Sequence, residues 1–160
     1  MKKFLLFAAA FAALSMSAQD VTVEKLWESE NVPAAADARQ GFGMNGKIYI
    51  NNKADQKVLV YDQNGLTNEE FAGGTNCGIS HDQAGNIIVS LAEFPNGWAC
   101  DGETPLIRVI NPTTGESVEY AIPDDLVSGR HDFLGNAQGN LFEDGVLYLQ
   151  GATNSGIVIL

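Results

Sequence analysis

The chain has 160 residues, of which 45% are hydrophobic, and its 20 acidic residues against 9 basic ones give a formal net charge of −11. A chain of this length is sufficient for one domain with a buried core. Its acidity makes a poor surface for nucleic-acid phosphates or anionic lipid, so we expect no nucleic-acid partner. The acidic residues fit a solvated exterior, and cationic ligands or divalent cations are the alternative partners that this charge favours.

Residues 1–18 have the layout of a signal peptide. A positively charged start precedes an apolar run from Phe4 to Leu14, and small residues follow as far as Ala18. The run is too short to span a bilayer as a stable helix, and no later stretch is apolar enough to do so. We predict cleavage after Ala18 and export to the periplasm, cell surface or extracellular space, with residues 19–160 as one domain. A buried N-terminal helix is the alternative.

Short strands separated by glycine-containing turns are predicted for the remainder of the chain. Glycine occurs 17 times, and three segments share one layout, in which a turn glycine precedes a β-branched or aromatic run. These segments are Gly46–Ile50, Gly85–Val89 and Gly145–Leu149. No window shows a sustained apolar period of 3.6 residues, so the pattern predicts an all-β fold.

A second strand is predicted after each of these segments, and polar turns such as Asp62–Gly65 follow. The second strands are Val58–Asp62, Ile107–Asn111 and Ile157–Leu160. An outer strand is predicted at Ser117–Ile122, and Val23–Trp27 is similar to it. The resulting unit of about 40 residues has the size and pattern of a propeller blade. A β-sandwich, or a self-contained sheet of about eight strands, also fits short strands at regular spacing.

The segments Asp82–Val89 and Ile107–Asn111 resemble the repeats of NHL-type and YncE-like extracytoplasmic β-propellers. The resemblance covers most of the chain after residue 18, at the level of the repeat pattern. It implies propeller-like antiparallel blades, about two complete and part of a third. It does not imply one function, because such propellers serve both as binding scaffolds and as enzymes.

The third unit ends at Leu160, before a turn and an outer strand equivalent to those of the other units. Closed propellers need at least about four blades. The pattern therefore predicts that the chain is the N-terminal part of a longer propeller, with open strand edges through which it could self-associate. A truncated gene product without independent activity is one of the functional alternatives.

Two short motifs suggest ligand-binding loops but do not match them. Gly41–Lys47 has the spacing of a phosphate-binding loop, yet Ile48 stands where Ser or Thr is needed and the segment leads into a strand. We interpret Asn45–Gly46 as a hairpin turn. Asp62–Gly65 lacks the spacing of a calcium loop and is also interpreted as a turn.

Two His–Asp pairs, His81–Asp82 and His131–Asp132, could bind a divalent metal if their strands converge. The pairs stand 4 and 14 positions before their turn glycines, so they are out of register, and roles in turns and at strand ends are favoured. We therefore assign no catalytic set, no metal site and no particular cofactor. A metal-dependent hydrolase or lyase using these groups is the alternative function.

An insertion of 10 residues within Glu93–Pro105 interrupts the middle unit. It contains aromatic residues, and a tryptophan is a good stacking surface for sugars or peptides, although Trp98 could instead pack on its own unit. The predicted function is a non-catalytic binding or scaffold module for a glycan, peptide or partner protein. The candidate ligand-binding residues are Phe94, Trp98, Arg39, His81, Asp82, Arg130 and His131.

Cys77 and Cys100 are the only two cysteines. Because export implies an oxidising compartment, we predict a disulfide between them. A closed loop of about 24 residues would stabilise the fold by about 3 kcal/mol on the chain-entropy model. Two buried free thiols are the alternative.

Overall fold

The computed structural model of the protein describes residues 24–91, 105–122, 134–135 and 137–149, together with the backbone of 158–159. The regular secondary structure in these residues is entirely β, and the paired strands are antiparallel, which confirms the predicted all-β class. The predicted signal peptide and the residues Phe94, Trp98, Cys100, Arg130 and His131 lie outside the described residues.

The strands form three sheets, in each of which the strands are adjacent in chain order. The first sheet comprises β1 (Gly41–Met44), β2 (Lys47–Asn52), β3 (Lys57–Asp62) and β4 (Gly65–Ala72). The middle sheet comprises β5 (Ile79–His81), β6 (Ile87–Ser90), β7 (Pro105–Ile110) and β8 (Ser117–Ala121). The third sheet comprises β9 (Ala137–Gln138), β10 (Val146–Leu149) and β11 (Val158–Ile159). Within the described residues, no helix is long and apolar enough to cross a membrane.

The hairpin turns follow the turn chemistry of the sequence. Asn45 and Gly46 have φ angles of 52° and 74° between β1 and β2, as a two-residue type I′ turn requires. This confirms the hairpin interpretation of Asn45–Gly46. Between β3 and β4, the Asn64 amide donates to Asp62 Oδ1 at 2.7 Å, so the acidic segment Asp62–Gly65 is a turn, as predicted.

Two expectations about strands were wrong. The first and middle sheets each begin with an additional strand, β1 or β5, so each contains four strands rather than the three of the predicted unit. β1 was missed because Gly41 and Gly43 give it low strand propensity. Conversely, residues 24–27 of the expected strand Val23–Trp27 belong to no strand, since no sheet edge pairs with them to satisfy a ladder of backbone hydrogen bonds.

The three sheets stack face to face, with an apolar layer in each of the two contacts. The layer between the first and middle sheets contains Tyr49, Val58, Val60, Ile79, Ile87, Val89 and Ile110. The layer between the middle and third sheets includes Ile88, Ile107, Val109, Ala137, Leu147 and Leu149. The middle sheet therefore has a neighbouring sheet on each face, and all four residues of its strand β6 are buried. Continuous apolar runs such as Ile87–Val89 reflect this two-sided burial.

The first strands of two neighbouring sheets, β1 and β5, run side by side in the same direction. The Ile79 amide donates to Gln40 Oε1 at 3.2 Å at one end, and the rings of Phe42 and His81 lie 4.9 Å apart at the other. We call the end of the stack where β1 and β5 begin the insertion end, because the chain leaves and re-enters the middle sheet there, after Leu91. The opposite end, which carries the β1–β2 and β5–β6 turns, is the turn end.

The chain passes from the first sheet to the middle sheet through Gly73 and Gly74, which lie against neighbouring backbone. A Cβ on Gly74 would lie 1.8 Å from the Ser90 carbonyl oxygen, so no larger residue fits without movement of the backbone. The fully buried Asn51 fixes this passage: its Oδ1 accepts from the Gly74 amide at 2.9 Å, and its Nδ2 donates to the carbonyls of Gly74 and Asn76. These bonds satisfy the polar groups of a buried connection.

Candidate functional site

Asp82, one of the predicted ligand residues, is buried and bonded within the fold. It is 1% exposed, its Oδ1 accepts from the Asn86 amide at 2.8 Å, and its Oδ2 accepts from Asn86 Nδ2 at 2.8 Å and from the Leu141 amide at 2.9 Å. Both carboxylate oxygens are thus engaged by protein donors. Asp82 lies in the β5–β6 turn, the position that the sequence favoured, and its carboxylate accepts these three hydrogen bonds there.

The same network joins the middle sheet to the third sheet at the turn end. Asn86 Nδ2 also donates to Asn140 Oδ1 at 2.9 Å, so Asp82, Asn86 and Asn140 form one connected group. Beside it, the Gln83 amide donates to the Gly139 carbonyl at 3.2 Å, and the Gly139 amide donates to Gln83 Oε1 at 3.0 Å. These reciprocal bonds connect the β5–β6 turn to the β9–β10 segment and align the two sheets.

His81 ends β5 and lies between the first and middle sheets. Its ring is half-buried, lies 4.9 Å from the ring of Phe42 at an angle of 46°, and places Nδ1 2.8 Å from the Asp82 carbonyl oxygen. Because a carbonyl only accepts, Nδ1 carries the proton in this arrangement. His81 is the last residue of β5, the strand-end position that the sequence favoured.

Arg39 lies at the insertion end, next to Gln40, whose side chain forms hydrogen bonds with distant segments of the chain. The side chain of Gln40 accepts from the amides of Ile79 and Leu134 and donates to the Leu134 carbonyl at 3.0 Å. Arg39 itself is exposed and lines a groove of about 580 Å³ against the first sheet. The structure therefore separates the described candidates: Arg39 is at the insertion end, and Asp82 is at the turn end.

A polar cleft lies between the first and middle sheets at the turn end. It has a volume of about 310 Å³ and is lined by side chains and turn residues from both sheets. We call it the turn-end cleft; its lining is Met44, Asn45, Lys47, Tyr49, Glu69, Ala84, Gly85, Asn86, Asn111, Pro112 and Thr113. The volume is near the lower limit of ordinary ligand pockets, enough for one or two sugar rings.

An ion pair and a phenol define the electrostatics of this cleft. Lys47 Nζ donates to Glu69 Oε1, and this hydrogen bond raises the pKa of the Lys47 ammonium above its usual 10.5. Burial raises the pKa of the Tyr49 phenol above 10.0, while Lys47 lowers it and Glu69 raises it. At neutral pH the cleft therefore presents an ammonium, a carboxylate and a neutral phenol.

The cleft also has a rigid support. The Tyr49 ring stacks on Phe42 with centroids 4.9 Å apart and planes 6° from parallel. On the other wall, Asn111 Oδ1 accepts from the amides of Thr113 and Thr114 at 2.9 and 3.1 Å, which fixes the β7–β8 turn. Lining groups held by such contacts lose little entropy when a ligand binds.

Sequence reasoning missed this cleft because its residues come from separate parts of the chain. Lys47 and Glu69 are 22 residues apart on strands β2 and β4, which are separated in the sheet by β3. Asn111 comes from a different sheet. The local signals were the turns at Asn45–Gly46 and Asn111–Gly115, but turn chemistry does not indicate which turns meet.

Of the two cysteines in the predicted disulfide, the structure describes Cys77. Cys77 is fully buried and carries a free thiol in the structure, with its Sγ 3.8 Å from the Ala36 carbonyl oxygen. Cys100 lies outside the described residues. The Cys77–Cys100 bond therefore stays a prediction.

Among the described residues, no group of three or more His, Cys, Asp or Glu side chains could hold a metal ion. The chain matches no protein-family model, no curated protein and no solved structure.

Proposed function

We propose that the protein is an exported, non-catalytic binding module, built on a propeller-like stack of antiparallel sheets, that binds a glycan in the turn-end cleft. The observation that carries this proposal is the lining of the cleft, in which charged and neutral polar groups of two sheets surround a space of about 310 Å³. Sugar hydroxyls donate and accept hydrogen bonds together, so a ligand rich in hydroxyl groups suits such a mixed lining.

The charge state of the cleft favours a neutral sugar over an ionic ligand. Lys47 and Glu69 neutralise each other, so this pair gives the cleft no net charge that would attract an anion or a cation. The side chains of Met44 and Pro112 add apolar surface on which the C–H face of a sugar ring can lie. Peptides and partner proteins are the other ligands that the sequence predicts, and they are separate arms of the test.

The decisive experiment compares two adjacent glutamates of β4. Glu69 belongs to the cleft, whereas Glu70 forms an exposed ion pair with Lys57 at 2.9 Å. We expect Glu69→Gln to weaken glycan binding by about tenfold or more, because it removes a charged hydrogen-bond acceptor, and Glu70→Gln to leave binding unchanged. Binding is found on a glycan array and quantified by titration calorimetry with the oligosaccharide identified there.

The insertion supplies the competing location for the ligand. Its described flanks lie at the insertion end, so Trp98→Ala tests a different part of the molecule from Glu69→Gln. Loss of binding in Trp98→Ala with full binding in Glu69→Gln would place the ligand at the insertion. Absence of any glycan binding, or binding only to peptides, would contradict the proposed ligand class.

A further inference from the structure

A second cavity, of about 210 Å³, lies between the middle and third sheets. The turn-end cleft lies on the other side of the middle sheet, and the two share no lining residue. We call this second space the β8 cavity, because strand β8 forms one of its walls. Its aliphatic lining comes from both sheets and is buried; it consists of Ile107, Ile122, Leu141 and Leu147.

Tyr120 of β8 adds an aromatic wall that is fixed in place. Its hydroxyl donates to the Leu141 carbonyl, so the ring bridges β8 and the segment between β9 and β10. Because Tyr120 is 38% exposed, a molecule from solution can reach its ring. On the opposite wall, Gly145 contributes backbone alone: a Cβ there would lie 2.7 Å from the Asn140 carbonyl carbon, so a larger residue does not fit without movement of the backbone.

The charge of the β8 cavity is negative. All of its lining residues belong to the described part of the chain, and among them Glu143 alone is charged; its side chain is exposed. No basic side chain of the described residues forms an ion pair with Glu143. Arg108 of β7 does not supply a positive charge there, because it pairs with Glu119 and donates to the Gly73 carbonyl, which belongs to the connection with the first sheet. The cavity thus combines an apolar interior with an unpaired carboxylate at its mouth.

These features together fit a small organic cation with an apolar body. An aliphatic cavity of about 150 Å³ is sufficient for benzene. A volume of about 210 Å³ therefore accommodates a phenyl ring with a short alkyl arm. The ring gains free energy from burial and from contact with the Tyr120 ring. An ammonium group at the end of the arm stays in water beside Glu143, where an exposed ion pair adds a modest attraction.

We propose that the β8 cavity binds an arylalkylammonium ion, with the aromatic ring between the middle and third sheets and the ammonium group at Glu143. The net charge of −11 on the whole chain favours the same class of ligand, because it raises the local concentration of cations. This site goes beyond the glycan site proposed above. Neither depends on the other, since they lie on opposite sides of the middle sheet.

Titration of the purified chain with probes of matched size tests the ligand class. We expect 2-phenylethylammonium to bind with a Kd of about 1 mM or below at low ionic strength. The neutral 2-phenylethanol should bind about threefold more weakly and 3-phenylpropionate about tenfold more weakly, because Glu143 attracts the cation and repels the anion. Methylammonium carries the charge without the ring, so its binding should be at least about a hundredfold weaker.

Two adjacent carboxylates provide matched variants. Glu143 lines the cavity, whereas its exposed neighbour Asp144 does not. We expect Glu143→Gln to lower the affinity for 2-phenylethylammonium about threefold, to that of the neutral alcohol, and Asp144→Asn to leave it unchanged. Glu69→Gln, the variant of the turn-end cleft, should bind 2-phenylethylammonium like the wild type, so the two proposed sites are tested separately.

Amide chemical shifts locate the bound probe. Saturation with 2-phenylethylammonium should shift the amide signals of Leu141, Glu143 and Gly145, and leave those of Lys47 and Gly85 in the turn-end cleft unchanged. Absence of binding at about 10 mM probe would overturn the proposal, because a phenyl ring buried in this cavity binds more tightly than that. Equal affinities for the ammonium, the alcohol and the carboxylate, or shift changes confined to the turn-end cleft, would overturn it as well.

Discussion

The first and middle sheets have the same strand order but differ in how much of each is buried. In the middle sheet, Ile87 and Val89 contact one neighbouring sheet and Ile88 contacts the other, so β6 is enclosed on both faces. In the first sheet, Tyr49 is buried against the middle sheet, whereas Ile48 is 36% exposed on the other face. Strand pattern alone does not decide burial, because a sheet also needs a neighbour on each apolar face.

The two sheets also differ in how their connections are fixed. The middle sheet is joined to the third through the buried carboxylate of Asp82, which binds an amide of the β9–β10 segment. The first sheet is joined to the middle through Asn51 and the Gly73–Gly74 passage, where side-chain amide groups satisfy the backbone. The Asp82 carboxylate at the turn end and the Asn51 side-chain amide at the insertion end thus both accept hydrogen bonds from buried backbone amides between neighbouring sheets.

The largest expected effect concerns Ile87 of the middle sheet, compared with Ile48, which occupies the same position in the first sheet. Ile87→Ala should lower the free energy of unfolding by about 3 kcal/mol, because it removes a fully buried side chain from the layer between two sheets. Ile48→Ala should cost less than about 1 kcal/mol, since part of that side chain is already in water. Urea unfolding followed by fluorescence or circular dichroism measures both, and equal losses would contradict the difference in burial.

Much of this arrangement was predictable from the sequence, and the reasons are local. Glycine turns followed by β-branched runs indicated β2, β6 and β10, because both the turn chemistry and the strand propensity lie within a few residues. The Asn45–Gly46 hairpin was predicted for the same reason. β1 and β5 were not, since one is half glycine and the other has only three residues.

The candidate site was less predictable than the fold. The sequence indicated Asp82 and His81 as candidate ligand residues. In the structure, Asp82 accepts hydrogen bonds from backbone amides, and the His81 ring packs near that of Phe42. The polar turn-end cleft arises only when β2, β4 and two turns of the middle sheet are brought together. Such a meeting depends on sheet stacking, which no local spacing encodes.

The second prediction compares two turn aspartates. Asp82→Ala should cost about 2 to 3 kcal/mol, because the buried amides of Asn86 and Leu141 lose their acceptor. Asp62→Ala should cost about 0.5 to 1 kcal/mol, since its bond to the Asn64 amide lies at an exposed turn where water can replace it. The same unfolding assay distinguishes them, and a loss at Asp62 as large as that at Asp82 would contradict the framework role assigned to the buried carboxylate.

The smallest expected effect concerns Tyr61, the residue of the first sheet that stands where Ile110 stands in the middle sheet. Burial raises the pKa of its phenol above 10.0, so the unfolded chain releases this proton at a lower pH than the folded chain. The stability that comes from the neutral phenol is therefore complete below pH 10.0 and is lost as the pH rises through the folded-state value.

Tyr61→Phe removes this titration and the hydrogen bond to Asn31 together. We expect a loss of about 1 kcal/mol near pH 7, because the Asn31 carbonyl loses its donor. The fall in stability above pH 10 should then be shallower than in the wild type, since phenylalanine has no proton to lose. Unfolding curves at pH 7, 9 and 10.5 measure both effects. If the stability of Tyr61→Phe falls with pH as steeply as that of the wild type, residues 24–40 do not cover Tyr61 in solution. The face of the first sheet that is directed away from the middle sheet would then be more open than the structure shows.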